Sequence, residues 1–189
     1  GESWRVVLVN GIFSKDLSDD LSLVAGLEVL NLNDGLGESE ELKKTLSVAS
    51  QGVFEKLNRA FWGHGLFIKV KEKTILTKPI HVVFVTTPTE DSLFMNPCLV
   101  MSVGREAQAH LVESYESDRG GSHFINAVTH IALASGSHLQ HERIQRDGKK
   151  TAHVATTHVM QEVQSHYDSF VLSVGARLHR HDLRVNLLA

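Results

Sequence analysis

Histidine is the residue type in this sequence that offers most for chemistry, and its distribution is uneven. The chain of 189 residues contains 12 histidines, and ten of them lie between His110 and His181. His179 and His181 are two apart, so on a β-strand they share one face, and His138 or His141 from a preceding segment could complete a metal-binding set. Imidazole binds zinc, iron and copper. No motif ties a carboxylate or thiolate to these histidines, so the alternative is that they are stacked or solvent-facing.

The single cysteine, Cys98, could accept sulfur or ligate a cluster, because thiolate is the nucleophilic form. It lies in the apolar segment Cys98-Leu-Val-Met101, and free cysteine is among the residue types most often buried. We therefore predict that Cys98 is buried. One cysteine also excludes an intrachain disulfide and an all-cysteine metal site made by this chain alone, and it favours a reducing compartment.

Three acidic residues raise the hypothesis of a different function, carbohydrate cleavage. Glu113, Glu116 and Asp118 could form the acidic cluster of a β-helical carbohydrate-active enzyme, but paired acid-base chemistry needs a second set on neighbouring coils, and none recurs at fixed spacing. The glycine-led turns lack the Gly-Lys-Ser/Thr ending of a phosphate loop. Nucleotide binding is therefore not expected.

Composition narrows the remaining classes of function. Lys plus Arg number 19 and Asp plus Glu 22, a net charge of −3, so no nucleic-acid partner is predicted. The longest apolar runs, such as Val82 to Val85, are far shorter than the roughly 18 residues of a membrane span, and no basic-then-apolar leader opens the sequence. These features predict a cytoplasmic protein without a membrane partner.

The elements that must position these residues are strands. Apolar or small residues alternate from Ile125 to Leu133 and from Phe170 to Val174, which puts one face of each strand inward. Segments beginning at Gly104, Gly136 and Gly175 each carry an apolar residue three positions later. Because no helical periodicity lies between them, the repeats must be strand-turn-strand units that stack as a β-solenoid.

The first third of the chain reads differently. Ser39 followed by Glu40 and Glu41 is typical of a helix start. Apolar residues then recur at steps of three and four, which predicts one amphipathic helix that ends near Trp62-Gly63; they are Leu42, Leu46, Ala49, Val53, Leu57, Ala60 and Phe61. We predict two units, an N-terminal strand, loop and helix segment over 1–63 and a mainly β solenoid core over 64–189.

The final strand, His181 to Leu188, has no stop signal behind it. The sequence therefore predicts a fragment that lacks terminal helices and further coils. Leu183, Val185 and Leu187 alternate along this strand, whose outer edge would be left unpaired. We expect the fragment either to self-associate through this end or to fray there.

The order of several short segments resembles the SufB/SufD family of iron-sulfur cluster assembly scaffold proteins over nearly the whole chain. The segments are Leu57-Asn-Arg-Ala-Phe-Trp62, Gly65-Leu-Phe-Ile68, Lys78-Pro-Ile-His81, Ala107-Gln-Ala-His-Leu-Val-Glu113, Asn126-Ala-Val-Thr129, Ile144-Gln-Arg146 and His153-Val-Ala-Thr-Thr157. The resemblance implies a right-handed parallel β-helix, in agreement with the period-two coils.

Within that family, SufB proteins carry a cysteine after a Leu-Glu-Gly step and a tryptophan after a Gln-Asn step. The corresponding positions here are Val112-Glu-Ser-Tyr115 and Gln145-Arg-Asp147, which have neither residue. The resemblance therefore favours the SufD branch, whose partner role is structural as much as chemical, and maps no functional residue of the family onto this chain.

The sequence thus predicts a non-enzymatic, SufD-like scaffold that pairs with SufB-like and SufC-like subunits in a SufBCD complex. It would bind no cofactor stably, while the assembled complex handles the iron-sulfur cluster transiently. The alternatives are a β-helical carbohydrate-active enzyme and a histidine-rich metal-binding solenoid.

Overall fold

The structure, a computed structural model, is a mainly β chain that forms a parallel β-solenoid of about four coils. The solenoid predicted from period-two alternation is confirmed. The structure describes residues 2–47, 52–61, 65–87, 92–117 and 120–188. For residues 36–38 it describes the backbone alone.

The strands and helices follow in chain order. The strands are β1 (Trp4–Val9), β2 (Ile12–Ser14), β3 (Leu27–Asn31), β4 (Gly65–Val70), β5 (Ile80–Thr86), β6 (Phe94–Met95), β7 (Cys98–Val103), β8 (Gln108–Ser117), β9 (Phe124–Leu133), β10 (His138–Asp147), β11 (Ala152–Gln161), β12 (His166–Gly175) and β13 (Leu178–Leu187). The helices are α1 (Leu32–Glu38), α2 (Glu40–Leu46) and α3 (Val53–Phe61). None of the helices in the described ranges has the length and apolar character that a membrane crossing requires.

Two sheets form the walls of the solenoid. The first, sheet A, has the strand order β12-β10-β8-β5-β1-β2, and the second, sheet B, has the order β13-β11-β9-β7-β4-β3. Each coil gives one strand to each sheet, and strands of successive coils pair in parallel. At the N-terminal end, β2 and β3 pair antiparallel to β1 and β4 and so complete the two sheets.

The corners of the coils explain why glycine spacing was an incomplete guide to the repeat. Each turn from sheet B to sheet A holds one residue with positive φ; these residues are Lys73, Glu106, Gly136 and Gln164. Gly104 opens such a turn, where an added Cβ would lie 2.5 Å from the backbone nitrogen of Glu72. Gly175 instead ends β12, at the opposite corner. The three glycines therefore occupy different places in their coils. Aligning the coils on these glycines, as the sequence-based prediction did, does not match equivalent positions.

The interior of the solenoid changes from apolar to polar along its axis. Inward side chains of the first coils, such as Leu66, Val82 and Met101, form one apolar core. Phe84 stacks on Tyr115 of the next coil, with ring centroids 4.5 Å apart. Beyond Tyr115 many inward positions of β10 and β11 carry charged and hydrogen-bonding side chains, and the polar cluster described below begins there.

Helix α2 covers the outer face of sheet B. The Ser39 hydroxyl accepts a hydrogen bond from the backbone N–H of Leu42, which confirms the predicted helix start. Leu42 and Leu46 of α2 pack with Cys98 and Val100 of β7 in a second apolar cluster. Sheet B is therefore buried on both faces at this level.

The prediction of one continuous helix was wrong, because α2 and α3 are separate. Helix α2 ends at Leu46, and the Ser47 hydroxyl donates to the carbonyl of Lys44. Short hydroxyl side chains compete in this way for backbone groups and favour helix ends. The predicted end at Trp62-Gly63 lies outside the described residues. Helix α1 was also missed, since Gly35 and Gly37 weaken its helical signal.

Helix α3 docks on sheet B through polar side chains. The Asn58 side-chain amide donates to the carbonyls of Pro97 at 3.0 Å and Asn126 at 2.7 Å. The Asn126 amide in turn donates to the carbonyl of Phe54 at 2.8 Å. These bonds fix the position of the helix against the strands it crosses.

A buried ionic contact also joins helix α3 to the last coil. The Glu55 carboxylate lies 3.0 Å from Nε2 of His158 on β11 and 2.5 Å from Nη1 of Arg184 on β13. The His158 ring stacks on that of His130, with centroids 5.2 Å apart. Burial, together with the neighbouring His158, lowers the pKa of His130 to about 4. Helix α3 thus ties the N-terminal segment to β13.

The final strands are the most exposed part of the solenoid. Strand β13 pairs with β11, and the predicted alternation of Leu183 and Val185 is present. Both residues face inward, because their partners on β11 are buried interior residues. Leu183 and Val185 are more than 40% exposed, as are Phe170 and Leu172 of β12. Phe170 and Leu172 pair in register with outward positions of β10, so the expectation that the apolar residues from Phe170 to Val174 face inward was wrong. Self-association through this end stays a prediction.

Candidate functional site

The candidate site is a cluster of charged and hydrogen-bonding side chains inside the solenoid. Its members come from alternate, inward positions of β8, β10 and β11, where strand periodicity carries every second side chain into the interior. We call this set the buried charge cluster; it consists of Glu113, Tyr115, His141, Arg143, Asp147 and His153. Each of these side chains is at most 5% exposed.

Glu113 is the centre of the cluster and accepts four hydrogen bonds. Its Oε1 accepts from the Thr129 hydroxyl and from Nε2 of His141, both at 2.9 Å. Its Oε2 accepts from Arg143 Nη1 at 2.9 Å and from the Tyr115 hydroxyl at 2.7 Å. Burial disfavours ionisation, but the His141 hydrogen bond and the charges of His141 and Arg143 outweigh it and lower the pKa of Glu113 to about 2.

The cluster continues from Arg143 to Asp147 through a histidine. Arg143 Nη2 lies 2.8 Å from Nε2 of His153, and Nδ1 of His153 lies 2.7 Å from Oδ2 of Asp147. Burial is the main cause that lowers the pKa of His153 to about 4. A neutral imidazole can accept from the guanidinium at Nε2 and donate to the carboxylate at Nδ1, so the contacts define one tautomer.

The Arg143 guanidinium packs against the ring of Tyr115. It lies over the ring, 4.1 Å from the centroid, a cation–π contact. Its Nε, like Oδ1 of Asp147, makes no hydrogen bond within the described part of the chain. The buried guanidinium bonds the Glu113 carboxylate directly and is linked to the Asp147 carboxylate through His153. Removing one partner would leave an uncompensated buried charge.

The structure places three of the four histidines considered as metal ligands in the interior of the solenoid and the fourth outside it. His141 faces the interior, where its Nδ1 lies 2.8 Å from the Tyr167 hydroxyl. His179 and His181 share one face of β13, as their spacing predicted, and that face points inward, because their partners on β11 are buried interior residues. His138 lies on the opposite face of β10.

The contacts of these histidines differ from one to the next. His138 bonds Asp168 at 2.7 Å, His179 lies 3.1 Å from the Ser173 hydroxyl, and His181 lies 2.9 Å from the Thr157 hydroxyl. In the described ranges, no three His, Cys, Asp or Glu side chains are arranged to hold a metal ion.

Cys98 is buried, as predicted. Only 1% of it is exposed, and it lies on the outer face of β7 beneath α2 rather than inside the solenoid. Burial raises the pKa of its thiol far above the ordinary value. The thiolate needed to attack sulfur or to bind a cluster is therefore strongly disfavoured at neutral pH.

The acidic residues considered for carbohydrate cleavage do not share a surface. Glu113 is fully enclosed by the solenoid, whereas Glu116 faces outward and pairs with Arg146. Asp118 lies outside the described residues. An extended polysaccharide could not reach Glu113, so the geometry disfavours a β-helical carbohydrate-active enzyme.

Sequence reasoning did not identify Arg143, Asp147 and His153 as partners. The signal that could have done so is the alternation along β10, where apolar Leu139 is followed at every second position by His141, Arg143, Gln145 and Asp147. That parity places charged residues on the same inward face as a core leucine. The charged side chains of the buried charge cluster are paired with one another. The cluster is therefore suited to stabilise the interior rather than to attack a substrate.

Known proteins are similar to this chain in sequence. The model of the SUF system FeS cluster assembly SufBD core domain matches residues 84–189. Over 192 aligned residues the chain is 30% identical to "Iron-sulfur cluster assembly SufBD family protein slr0076" of Synechocystis sp. (strain ATCC 27184 / PCC 6803 / Kazusa), covering 96% of this chain and 42% of that protein.

A second relative is more distant. Over 129 residues the chain is 26% identical to "Protein ABCI7, chloroplastic" of Arabidopsis thaliana, which covers 65% of this chain and 27% of that protein. The chain thus spans less than half the length of either relative.

Proposed function

Because this chain belongs to the SufBD family of iron-sulfur cluster assembly proteins, we propose that it is part of a SufD-like scaffold subunit. The observation that carries the proposal is the position of its single thiol. Cys98 is buried, and it lies outside the solenoid interior. The position that the family resemblance assigns to the SufB cysteine faces the interior, and Tyr115, a phenol, occupies it here. The chain contributes structure and pairing surfaces rather than a sulfur-accepting thiolate.

The partners follow from the same proposal. The protein that contains this chain pairs with a SufB-like subunit and a SufC-like ATPase, and the assembled complex handles the cluster transiently. The buried charge cluster supports this role as a rigid interior, because its salt bridges are enclosed and enforce one alignment of β8, β10 and β11. We propose that the protein acts in a reducing compartment, the cytoplasm, because a single cysteine cannot form an intrachain disulfide.

This role predicts that the chain keeps no iron-sulfur cluster by itself. Such clusters are held by sets of cysteine thiolates, and this chain supplies one buried thiol. After anaerobic reconstitution with iron and sulfide and then desalting, we expect far less than one cluster per chain by iron and sulfide analysis.

The same samples test the metal-binding alternative. Total metal analysis after incubation with zinc or ferrous iron should likewise find substoichiometric metal, and a His179→Gln, His181→Gln variant should bind no less. Stoichiometric cluster retained after desalting would contradict the scaffold proposal, and stoichiometric zinc lost in the double variant would favour a histidine metal site.

A further inference from the structure

A row of apolar side chains crosses the outer face of sheet B where its strands begin. Phe94 of β6 pairs in register with Phe124 of β9, Phe124 with Ala152 of β11, and Ala152 with Leu178 of β13. These four residues are one line of neighbours across four strands, because register partners lie side by side in a parallel sheet. They form the floor of a groove of about 630 Å³.

The floor is accessible at both ends. The rings of Phe94 and Phe124 stack with centroids 5.3 Å apart and an interplanar angle of 4°. Phe54 and Phe61 of α3 meet these rings edge-on and support them from one side. Phe94 is nevertheless 46% exposed and Leu178 is 55% exposed. Apolar side chains aligned in this way favour contact with another apolar group.

A basic rim accompanies the floor. Lys150 lies near Ala152 and Arg177 lies directly before Leu178, where the chain enters successive strands of sheet B, and both basic residues line the groove. His123, directly before Phe124, also lines the groove but is buried. Lys150 and Arg177 are exposed and form no ion pair within the described residues. No carboxylate lies among the described residues that line the groove.

We propose that this groove docks an extended acidic segment of a partner protein, with apolar side chains on the Phe124–Leu178 floor and carboxylates against Lys150 and Arg177. Charge complementarity selects the occupant, because two exposed cations beside an apolar floor match a chain that alternates acidic and apolar residues. The net charge of −3 disfavours nucleic acid, which would meet repulsion elsewhere on the surface. The proposal is independent of the scaffold role.

The test uses the full-length protein that contains this chain and a fluorescein-labelled peptide, Asp-Glu-Phe-Asp-Leu-Glu, followed by fluorescence anisotropy. We expect saturable binding that weakens as salt is raised, because the contact is partly ionic. The Lys150→Glu, Arg177→Glu variant should bind the peptide at least about tenfold more weakly, a loss of roughly 1.4 kcal/mol. Replacing both apolar peptide residues by serine should reduce binding to a similar extent.

Lys149→Glu is the matched control, since Lys149 is exposed beside Lys150 but does not line the groove. It should bind the peptide within about twofold of the unaltered protein. The proposal is overturned if the full-length protein does not bind the peptide, if Lys149→Glu weakens binding as much as the double variant, or if anionic phosphatidylserine vesicles or a single-stranded oligonucleotide bind the groove in preference to the peptide.

Discussion

Replacing Arg143 by methionine should lower the free energy of unfolding by about 3–5 kcal/mol. Arg143 is 1% exposed and bonds both Glu113 and His153, so its loss leaves the Glu113 carboxylate buried without its guanidinium. Methionine fills much of the same volume, so the effect reports the broken charge pair more than a cavity. Urea unfolding followed by circular dichroism measures it.

Arg146→Met is the matched control on the same strand. Arg146 faces outward and pairs with Glu116 at the surface, where such pairs contribute about 1 kcal/mol or less. Adding Glu113→Gln to Arg143→Met should recover part of the loss, because the stranded charge is removed. Equal destabilisation by Arg143→Met and Arg146→Met would show that the buried charge cluster is not specifically stabilising.

Acid should destabilise the fold progressively between about pH 6.5 and pH 4. His130 and His153 each have a pKa lowered by burial from 6.5 to about 4. In this window the unfolded chain binds protons that the folded chain does not, so stability falls as pH falls, by roughly 3 kcal/mol for each histidine. His181, with its pKa also lowered to about 4 but partly exposed, adds less.

Below pH 4.5 the loss of stability should continue, now because a buried carboxylate becomes protonated. The pKa of Glu113 is lowered to about 2, so its ionised form stabilises the fold above its ordinary pKa and that contribution is lost as pH falls towards 2. Free energies of unfolding from urea titrations at half-unit steps between pH 7.5 and pH 2 provide the curve.

Two histidine variants test whether buried histidines cause the slope of unfolding free energy against pH. His130→Gln should reduce the slope between pH 6.5 and pH 4 by up to about 1.4 kcal/mol per pH unit, since one differential proton is lost. His166→Gln, at an exposed position of β12, is the matched control for replacing a histidine by glutamine. A flat profile in the unaltered chain, or equal changes in the two variants, would contradict the assignment to buried histidines.

The sequence carried enough information for the solenoid, because the strands obey period two. The alternation from Ile125 to Leu133 places Ile125, Thr129 and Ile131 inside, and all three are buried. Ser39 likewise marked the start of α2, since a helix start depends on local hydrogen bonding. Both signals are short-range, and the structure preserves them.

The buried charge cluster depends on contacts that no local pattern encodes. Glu113 and Arg143 are 30 positions apart in sequence and meet because β8 and β10 pair in register. The polar docking of α3 is similar, as Glu55 meets His158 and Arg184 from two different coils. Such pairs follow from the lengths of the loops between strands, which vary from coil to coil and cannot be read from periodicity.

The most direct test of the proposed scaffold role is assembly with its partners. The full-length protein that contains this chain should be mixed with SufB-like and SufC-like subunits of the same organism and resolved by size-exclusion chromatography with light scattering. We predict one peak that contains all three proteins and whose mass exceeds that of any pair. Elution of the full-length protein alone, in the presence of both subunits, would contradict the account.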